Sequence, residues 1–286
     1  MADNDDVPFN RDFPLNPGVA EEARPGVRRV LCNNPSPFTF TGTVSYIVGK
    51  GKVAIIDPGP NDEAHARALL DAVRGETVTH ILVTHTHRDH SPNTPRIKAA
   101  TGAPVYAEGP HRASRPRFES EKHNPESGAD RDFMPDIAVR DGDMIEGADW
   151  ALQAVATPGH TADSLSFVLG DAVLTADTVL GRGTTVIDTE DGSLADYLES
   201  LHRLRGLGQR TVLPGHGPEL ADLEAVASGY LAHREQRLEQ VRSALLTLGD
   251  DATARQVVEH VYVDVDEELW GVAEWSVQAQ LDYLRR

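Results

Sequence analysis

The chain has 286 residues, an apolar fraction of 40% and a formal net charge of −18. This size and composition allow a globular core, whereas the acidic balance disfavours a general nucleic-acid-binding surface, which would be basic. The single cysteine, Cys32, excludes an intramolecular disulfide and fits a reducing compartment. The N-terminus lacks the apolar stretch of a secretory signal, and no apolar run approaches the roughly 18 residues that span a bilayer. We therefore expect a soluble, cytoplasmic protein.

The first third of the chain predicts a series of strands with two helices. Residues 1–27 are rich in Pro, Asp and Asn, and we expect them to form an N-terminal arm. Apolar and β-branched runs between turn signals predict strands at Val30–Cys32, Thr43–Val48, Val53–Ile56, Val78–Thr84 and Val105–Ala107. Helical spacing predicts a helix at Asn61–Arg74, which Asp62 can cap, and a second helix near Arg96–Thr101.

The middle of the chain predicts a polar insertion and a second set of strands. We expect His111–Asp136 to lie over the functional site, with His111 and His123 either at the surface or in contact with substrate. Further strands are predicted at Ile145–Thr157, Leu165–Leu169 and Ala172–Ala176, followed by an amphipathic helix at Leu194–Gly206. This order fits an α/β fold, an αββα sandwich of two face-to-face sheets with helices outside, over residues 28–221.

Residues 222–286 change to an all-helical pattern. Apolar spacing predicts a long helix ending at Gly249, a short one from Thr253 to Val261 and a third over Glu267–Arg285. Three helices of this size resemble a truncated winged-helix module without its wing hairpin. The region carries 13 acidic and 6 basic residues. We therefore expect it to pack beside the sandwich or to act as a lid, and not to read DNA.

The densest chemical signal is His85-Thr86-His87-Arg88-Asp89-His90, at the end of an apolar strand. Three imidazoles and a carboxylate this close are costly unless a cation holds them. Three further candidates follow strand-like runs at turn signals: His160, Asp177 and His216. The set of five histidines and two aspartates exceeds the four ligands of a closed structural zinc. We predict an open site for two divalent ions, zinc first, with manganese or iron as alternatives.

This pattern resembles the metallo-β-lactamase superfamily, whose HxHxDH motif is followed by His, Asp and His on later strands. The resemblance covers residues 30–220. It implies that the first metal is bound by His85, His87 and His160. The second would be bound by Asp89, His90 and His216, with Asp177 bridging the two. Asp57, which precedes Pro58-Gly59, either orients the metal-binding loop or is an ordinary turn residue.

Several features resemble one branch of that superfamily, the beta-lactamase-like protein 2 proteins. Asp177 as a bridging ligand is typical of phosphoester and thioester hydrolases, and true β-lactamases lack it. Four segments are also similar to the branch: Asn34–Thr39, Gly181–Thr185, Tyr230–Arg234 and Ser276–Leu281. The branch cuts single-stranded RNA, so the resemblance implies an endoribonuclease. Gln280 and Val44-Ser45 depart from the branch, and the tail is shorter; these departures lie in the tail and at a strand edge and not among the metal ligands.

The chemistry of such a site suggests roles for other residues. Asp89 would accept a proton in addition to binding metal. His233 is the candidate acid for the leaving group, unless it is a helix-surface histidine. Arg182 and Arg234 would hold a substrate anion or form ordinary salt bridges.

Other functions remain open on the sequence. The enzymatic rival is a thioester hydrolase of the glyoxalase II type, which binds its substrate through basic residues on a helical tail that is acidic here. A mononuclear iron persulfide dioxygenase needs only two histidines and one aspartate, and a non-catalytic scaffold needs no site at all. The expected partner is single-stranded RNA or a small-molecule ester or thioester, with no DNA and no membrane. A homo-oligomer is left open.

Overall fold

The computed structural model describes residues 13–114, 128–263 and 270–286. Within these residues, two β-sheets form the body of the molecule. The larger sheet has seven strands in chain order: β1 (Ala20–Arg24), β2 (Val27–Leu31), β3 (Val44–Val48), β4 (Lys52–Ile56), β5 (Thr77–Leu82), β6 (Val105–Ala107) and β7 (Ile137–Ala138). Strands β1 to β4 pair antiparallel, and β4 to β7 pair parallel.

The smaller sheet has five strands in the order β12-β11-β10-β9-β8. They are β8 (Met144–Glu146), β9 (Ala151–Ala156), β10 (Leu165–Leu169), β11 (Ala172–Ala176) and β12 (Thr211–Pro214). Strand β10 pairs antiparallel with both β9 and β11, whereas β11 and β12 are parallel. Strands β9, β11 and β12 therefore run in the same direction, and their C-terminal ends meet at one edge of the sheet.

Apolar side chains fill the space between the two sheets. Strand β3 is buried along its whole length, including the polar residue Ser45. This layer includes Tyr46 and Leu82 from the larger sheet and Leu152 and Phe167 from the smaller one. Since burial stabilises by roughly 25 cal/mol per Å² of apolar surface, this layer is the main attachment between the sheets.

Two helices cover the outer face of the larger sheet. Helix α1 (Glu63–Ala72) begins after Asp62, whose carboxylate accepts the backbone N–H groups of Ala64 and His65. Helix α2 (Thr94–Thr101) starts two residues before the predicted position and has a proline in its first turn. A missing N–H is tolerated there because those donors have no helical partner.

The other helices cover the smaller sheet and extend beyond it. Helix α3 (Leu194–Arg205) packs on the sheet, and the described C-terminal helices are α4 (Leu223–Leu248), α5 (Ala254–Val261) and α6 (Trp270–Leu284). Tyr230 and Leu238 of α4 pack with α3, and Val241 further along α4 packs with α5 and α6. The αββα sandwich with a C-terminal helical region is therefore confirmed.

Some details differ from the sequence analysis. Strand β1 lies in the segment expected to be an arm, and its polar sequence carries no apolar alternation, although it pairs with β2. The stretch expected as one strand, Ile145–Thr157, is two antiparallel strands, because the chain turns at residues 147–149. His123 lies outside the described residues. Among the helices described, none combines the length and apolar character needed to cross a membrane.

Candidate metal centre

Four strands end at one edge of the sandwich, and a predicted metal ligand follows each of them. The HxHxDH motif follows β5, and His160, Asp177 and His216 follow β9, β11 and β12. The backbone N–H of Leu165 donates to the carbonyl oxygen of Thr84 at 2.8 Å and joins the two sheets at this edge. The topology therefore brings together residues that are far apart in the chain.

Backbone geometry after β11 directs Asp177 into the site. Ala176 has a φ of +46°, a conformation that is uncommon for a residue with a side chain. Gly215 packs directly against this turn. A Cβ at Gly215 would lie 2.4 Å from Asp177 Oδ1 and 2.9 Å from His90 Cε1. Glycine is therefore a steric requirement of the site as well as a turn residue.

The structure brings all seven predicted ligands together. Three groups have donor atoms within 4.8 Å of one another: His85 with His87 and His160, His85 with His90 and Asp177, and Asp89 with His90 and His216. The first and third groups are the two ligand sets that the sequence resemblance implies. The remaining group connects them through Asp177.

Three buried atoms in this cluster fit a pair of cations. Nε2 of His85, Nε2 of His90 and Oδ1 of Asp177 are buried and have no hydrogen-bond partner among the described residues. An unsatisfied buried polar atom costs about 1–3 kcal/mol, and a bound cation would remove that cost. Imidazole nitrogens with carboxylate oxygens suit zinc, iron and manganese. The cluster could therefore hold divalent metals.

Backbone carbonyls fix the orientation of two of the histidine rings. His160 Nδ1 lies 2.9 Å from the carbonyl oxygen of Val186, and His216 Nδ1 lies 3.2 Å from that of Gly42. Because a carbonyl oxygen only accepts, Nδ1 must carry the proton in each ring. The lone pair on Nε2 is then free for a metal.

Asp57 holds a third ring in the same way. Its Oδ2 is 2.9 Å from His90 Nδ1 and accepts the Thr84 hydroxyl at 2.7 Å, while its Oδ1 accepts the Thr84 N–H at 2.8 Å. Asp57 itself has a φ of +50°. The carboxylate therefore ties His90 to the end of β5, which is an orienting role and not that of an ordinary turn residue.

Asp177 contacts donors of both metal-binding groups. Its Oδ1 lies 3.3 Å from His90 Nε2, and its Oδ2 lies 3.2 Å from His216 Nε2 and 3.8 Å from His160 Nε2. A bridging carboxylate would have this arrangement. Asp89 Oδ2 lies 3.1 Å from His216 Nε2 and accepts the Thr43 hydroxyl at 3.2 Å.

The site keeps its carboxylates ionised. Burial alone would raise the pKa of Asp89 and Asp177, but His90 and His216 hold both pKa values well below the usual range. Burial opposes charge on His216 too, yet the two carboxylates raise its pKa to about 9, so a metal that binds Nε2 would displace a proton from that ring. Burial and the neighbouring histidines hold the pKa of His85 well below its usual value, so that ring stays neutral, the form that binds metal.

His233, the predicted leaving-group acid, belongs to none of the three ligand groups. It lies on α4 with a buried side chain, and its Nε2 accepts a hydrogen bond from Arg237 at 3.2 Å. Burial, followed by the charges of Arg234 and Arg237, lowers its pKa to about 4. The ring is therefore neutral at pH 7 and a poor proton donor. It is not a surface histidine either.

Arg182 and Arg234 donate to backbone carbonyls. Arg182 donates to Pro37 and, at 2.9 Å, to Phe38. Arg234 donates to Thr185, in the loop that follows Asp177. Neither guanidinium has a carboxylate partner among the residues that the structure describes. Both arginines brace loops beside the metal ligands.

Sequence reasoning missed Asp191 at the site and left His111 open between the surface and a substrate contact. Asp191, just before α3, has carboxylate oxygens 3.4 Å from His87 Nε2 and 3.4 Å from His111 Nε2. The His111 side chain is only 4% exposed, so it is buried and not at the surface. Its Nδ1 lies 3.0 Å from the Thr86 hydroxyl. The Asp191-Gly192-Ser193 segment reads as a helix start, and no sequence signal marks it as part of the site.

Comparison with known proteins establishes the family. Residues 38–216 match the model of the metallo-beta-lactamase superfamily. The chain belongs to this superfamily. Residues 253–286 match the beta-lactamase associated winged helix domain. Homologues in the superfamily are metal-dependent hydrolases, and the prediction of an enzyme is confirmed.

Relatives in the superfamily cover most of the chain. A beta-lactamase-like protein 2 homolog from Caenorhabditis elegans is 30% identical over 85% of this chain and 79% of its own length. An atrochrysone carboxyl ACP thioesterase from Claviceps purpurea is 32% identical over 86% of this chain and 72% of its own. A solved structure of a metallo-beta-lactamase family protein from Thermus thermophilus matches with a TM-score of 0.72 and 25% identity, over 92% of this chain and 94% of that one. The resemblance drawn from the sequence motifs is confirmed.

Proposed function

We propose that this metallo-β-lactamase-fold hydrolase uses two divalent ions, zinc first, to cut phosphodiester bonds of single-stranded RNA. The observation that supports two ions is the position of Asp177, whose carboxylate lies 3.3 Å from His90 and 3.8 Å from His160. Those histidines belong to different ligand groups. A single closed metal would leave part of this donor set unused.

The choice of RNA is supported by the branch of the superfamily. Relatives named beta-lactamase-like protein 2 homologs match over 85% and 91% of the chain, and the resemblance to that branch implies an endoribonuclease. The acidic surface does not prevent this, because bound divalent ions would dominate the local field. Arg88 adds a positive charge within the motif. It is exposed and forms no ion pair among the described residues.

Bound divalent ions would lower the pKa of a water toward about 7 and neutralise charge that develops on substrate oxygens. The residues of the chain orient that chemistry. Asp57 fixes His90, and the carbonyls of Gly42 and Val186 fix the other two rings described above. Asp89 is the proposed proton acceptor because of its position between the histidines of this group, with Oδ2 3.1 Å from His216 Nε2.

A thioester is the second candidate substrate. It is favoured by the relative named as an ACP thioesterase, which is 32% identical over 86% of this chain. A thioester carbonyl would use the same centre, with negative charge developing on one oxygen. The 13 acidic and 6 basic residues of the helical region do not fit the basic tail through which enzymes of the glyoxalase II type bind their substrate.

The test is cleavage of end-labelled single-stranded RNA by the purified protein with Zn²⁺ or Mn²⁺. Asp177→Ala is the site variant, and Asp143→Ala is the matched control, because Asp143 is exposed and bonds within its own turn. We expect cleavage by the wild type and the control, and cleavage slower by about 10³-fold for Asp177→Ala. If RNA stays intact and a model acyl thioester is hydrolysed in an Asp177-dependent reaction, the substrate is a thioester and not RNA.

A further inference from the structure

We propose that Asp191 is a positioning residue for the first metal-binding group, where it fixes the His87 ring so that Nδ1 faces His85 and His160. The inference rests on the two-ion site of the proposed function but does not depend on the substrate. It assigns a role to a buried carboxylate that lies outside the HxHxDH motif and outside all three ligand groups.

The His87 ring faces the site with Nδ1, whereas the His160 and His216 rings face it with Nε2. Its Nδ1 lies 3.0 Å from His160 Nε2, inside the group, and its Nε2 points to Asp191 Oδ2 at 3.4 Å. In His160 and His216 it is Nδ1 that is anchored and Nε2 that faces inward. A reversed ring needs a partner on its Nε2 side. Among the described residues, Asp191 is the carboxylate on that side.

The partner must be a group that accepts a hydrogen bond. An imidazole that binds a metal offers a lone pair, so its proton sits on the other nitrogen. A carboxylate beside Nε2 accepts that N–H and leaves the Nδ1 lone pair of His87 free. The Asp191 side chain is only 3% exposed, so water does not compete for this contact.

Asp191 is held in place on its other sides. Its Oδ1 lies 3.4 Å from His111 Nε2, and His111 Nδ1 lies 3.0 Å from the hydroxyl of Thr86, the residue before His87. Its backbone carbonyl accepts the N–H of Ala162 at 2.9 Å, two residues after His160. The carboxylate is therefore fixed with respect to two ligands of the same group.

Asp57 gives a measure for the expected effect, because it supports His90 in the other group. Partners of this kind are worth about 10–100-fold in metal affinity. The Asp57 contact is 2.9 Å, within the normal hydrogen-bond range, whereas the Asp191 contact is 3.4 Å. We therefore expect loss of Asp191 to weaken binding by about tenfold, the lower end of that range.

The experiment measures Zn²⁺ affinities of the metal-free full chain by competition with a chromophoric chelator, without substrate. Asp191→Leu should weaken one of the two ions about tenfold and leave the other nearly unchanged. Asp191→Asn keeps an acceptor oxygen, so its Zn²⁺ affinity should lie between those of the wild type and Asp191→Leu. Asp57→Asn should weaken the other ion. Asp163→Asn is the matched control, because Asp163 is equally buried but accepts the backbone N–H of Thr86 and no ring nitrogen.

A second readout is the histidine-ring ¹H–¹⁵N spectrum of the Zn²⁺-loaded protein. We expect one ring bound through Nδ1 with its proton on Nε2, and we expect that signal to shift in Asp191→Asn. Two ions bound with wild-type affinity in both Asp191 variants would overturn the role of Asp191. Equal weakening of both ions would overturn it too, since that indicates only a structural effect. A wild type that binds fewer than two ions would instead overturn the two-ion site itself.

Discussion

The metal-binding edge and the C-terminal helical region bury their side chains in opposite ways. At the edge, polar side chains face one another, and three buried atoms of the metal ligands lack a hydrogen-bond partner among the described residues. In the helical region, apolar side chains such as Val241, Val257 and Leu281 fill the interior. Stability alone explains the second arrangement. The polar arrangement at the metal-binding edge is unfavourable without a bound cation. That contrast marks the edge as the functional part of the molecule.

The two regions nevertheless meet beside the metal ligands. The Tyr230 hydroxyl of α4 accepts the N–H of Leu180 at 3.1 Å, in the loop after Asp177. The ring of Trp275 in α6 lies 6.4 Å from that of Phe38, on the loop that leads to Thr43. The described residues of the helical region therefore support loops of the site and belong to none of the three ligand groups.

The largest effect is expected from Asp177→Ala. Loss of the bridging carboxylate should lower kcat/KM by about 10³-fold, because metal-ion stabilisation of the transition state is worth several kcal/mol. Steady-state kinetics with saturating Zn²⁺ measures it. Circular dichroism and the unfolding midpoint serve as controls for folding. A loss below about tenfold would place the chemistry elsewhere.

A smaller effect is expected from Tyr230→Phe, which should lower the unfolding free energy more than it lowers activity. Removal of the hydroxyl leaves the buried Leu180 N–H without its acceptor, which costs about 1–3 kcal/mol. Urea unfolding measures the change, and we expect kcat to fall only a few-fold. A large loss of kcat at unchanged stability would show that the helical region takes part in the chemistry.

His233→Gln separates a support role from an acid role. A general acid contributes about 10²–10⁴-fold, but a ring with a pKa of about 4 holds almost no proton at pH 7. We therefore expect a loss below about tenfold and an unchanged pH–rate profile. A loss of a hundredfold or more, together with a shifted alkaline limb, would restore the hypothesis of a leaving-group acid.

His65 on α1, which contacts Ser45 of β3, makes the unfolding free energy depend on pH. Burial lowers its pKa to about 4, and its Nε2 lies 2.8 Å from the Ser45 hydroxyl. Below about pH 6.5 the unfolded chain takes up a proton that the folded ring refuses, so stability falls as the pH drops toward about 4. His65→Gln should flatten that part of the stability curve, as measured by urea unfolding at several pH values. An unchanged slope would contradict this.

The smallest effect is expected from Trp275→Leu. Aromatic pairs contribute about 0.5–1.5 kcal/mol beyond the area that they bury, and the wide separation from Phe38 favours the lower end. We expect a slight loss of unfolding free energy and little change in kcat. A KM that rises for long RNA but not for a short phosphodiester would instead show that the pair contacts substrate.

The ligands could be predicted from sequence, whereas their supports could not. The HxHxDH spacing is local, and His160, Asp177 and His216 each follow a strand, so strand direction alone brings them together. Asp191 and His111 meet only because the segment around His111 lies against the turn before α3, and no local pattern encodes that contact. Strand β1 was missed because its polar side chains give no alternation at the edge of the sheet.

The two-ion centre is tested most directly by the metal content of the purified chain after loading with Zn²⁺ and removal of free ions. Elemental analysis should give two ions per chain for the wild type and fewer than two for Asp177→Ala. A wild type that holds a single ion, with Asp177→Ala unchanged, would contradict the two-ion centre. That result would move the function toward a mononuclear enzyme.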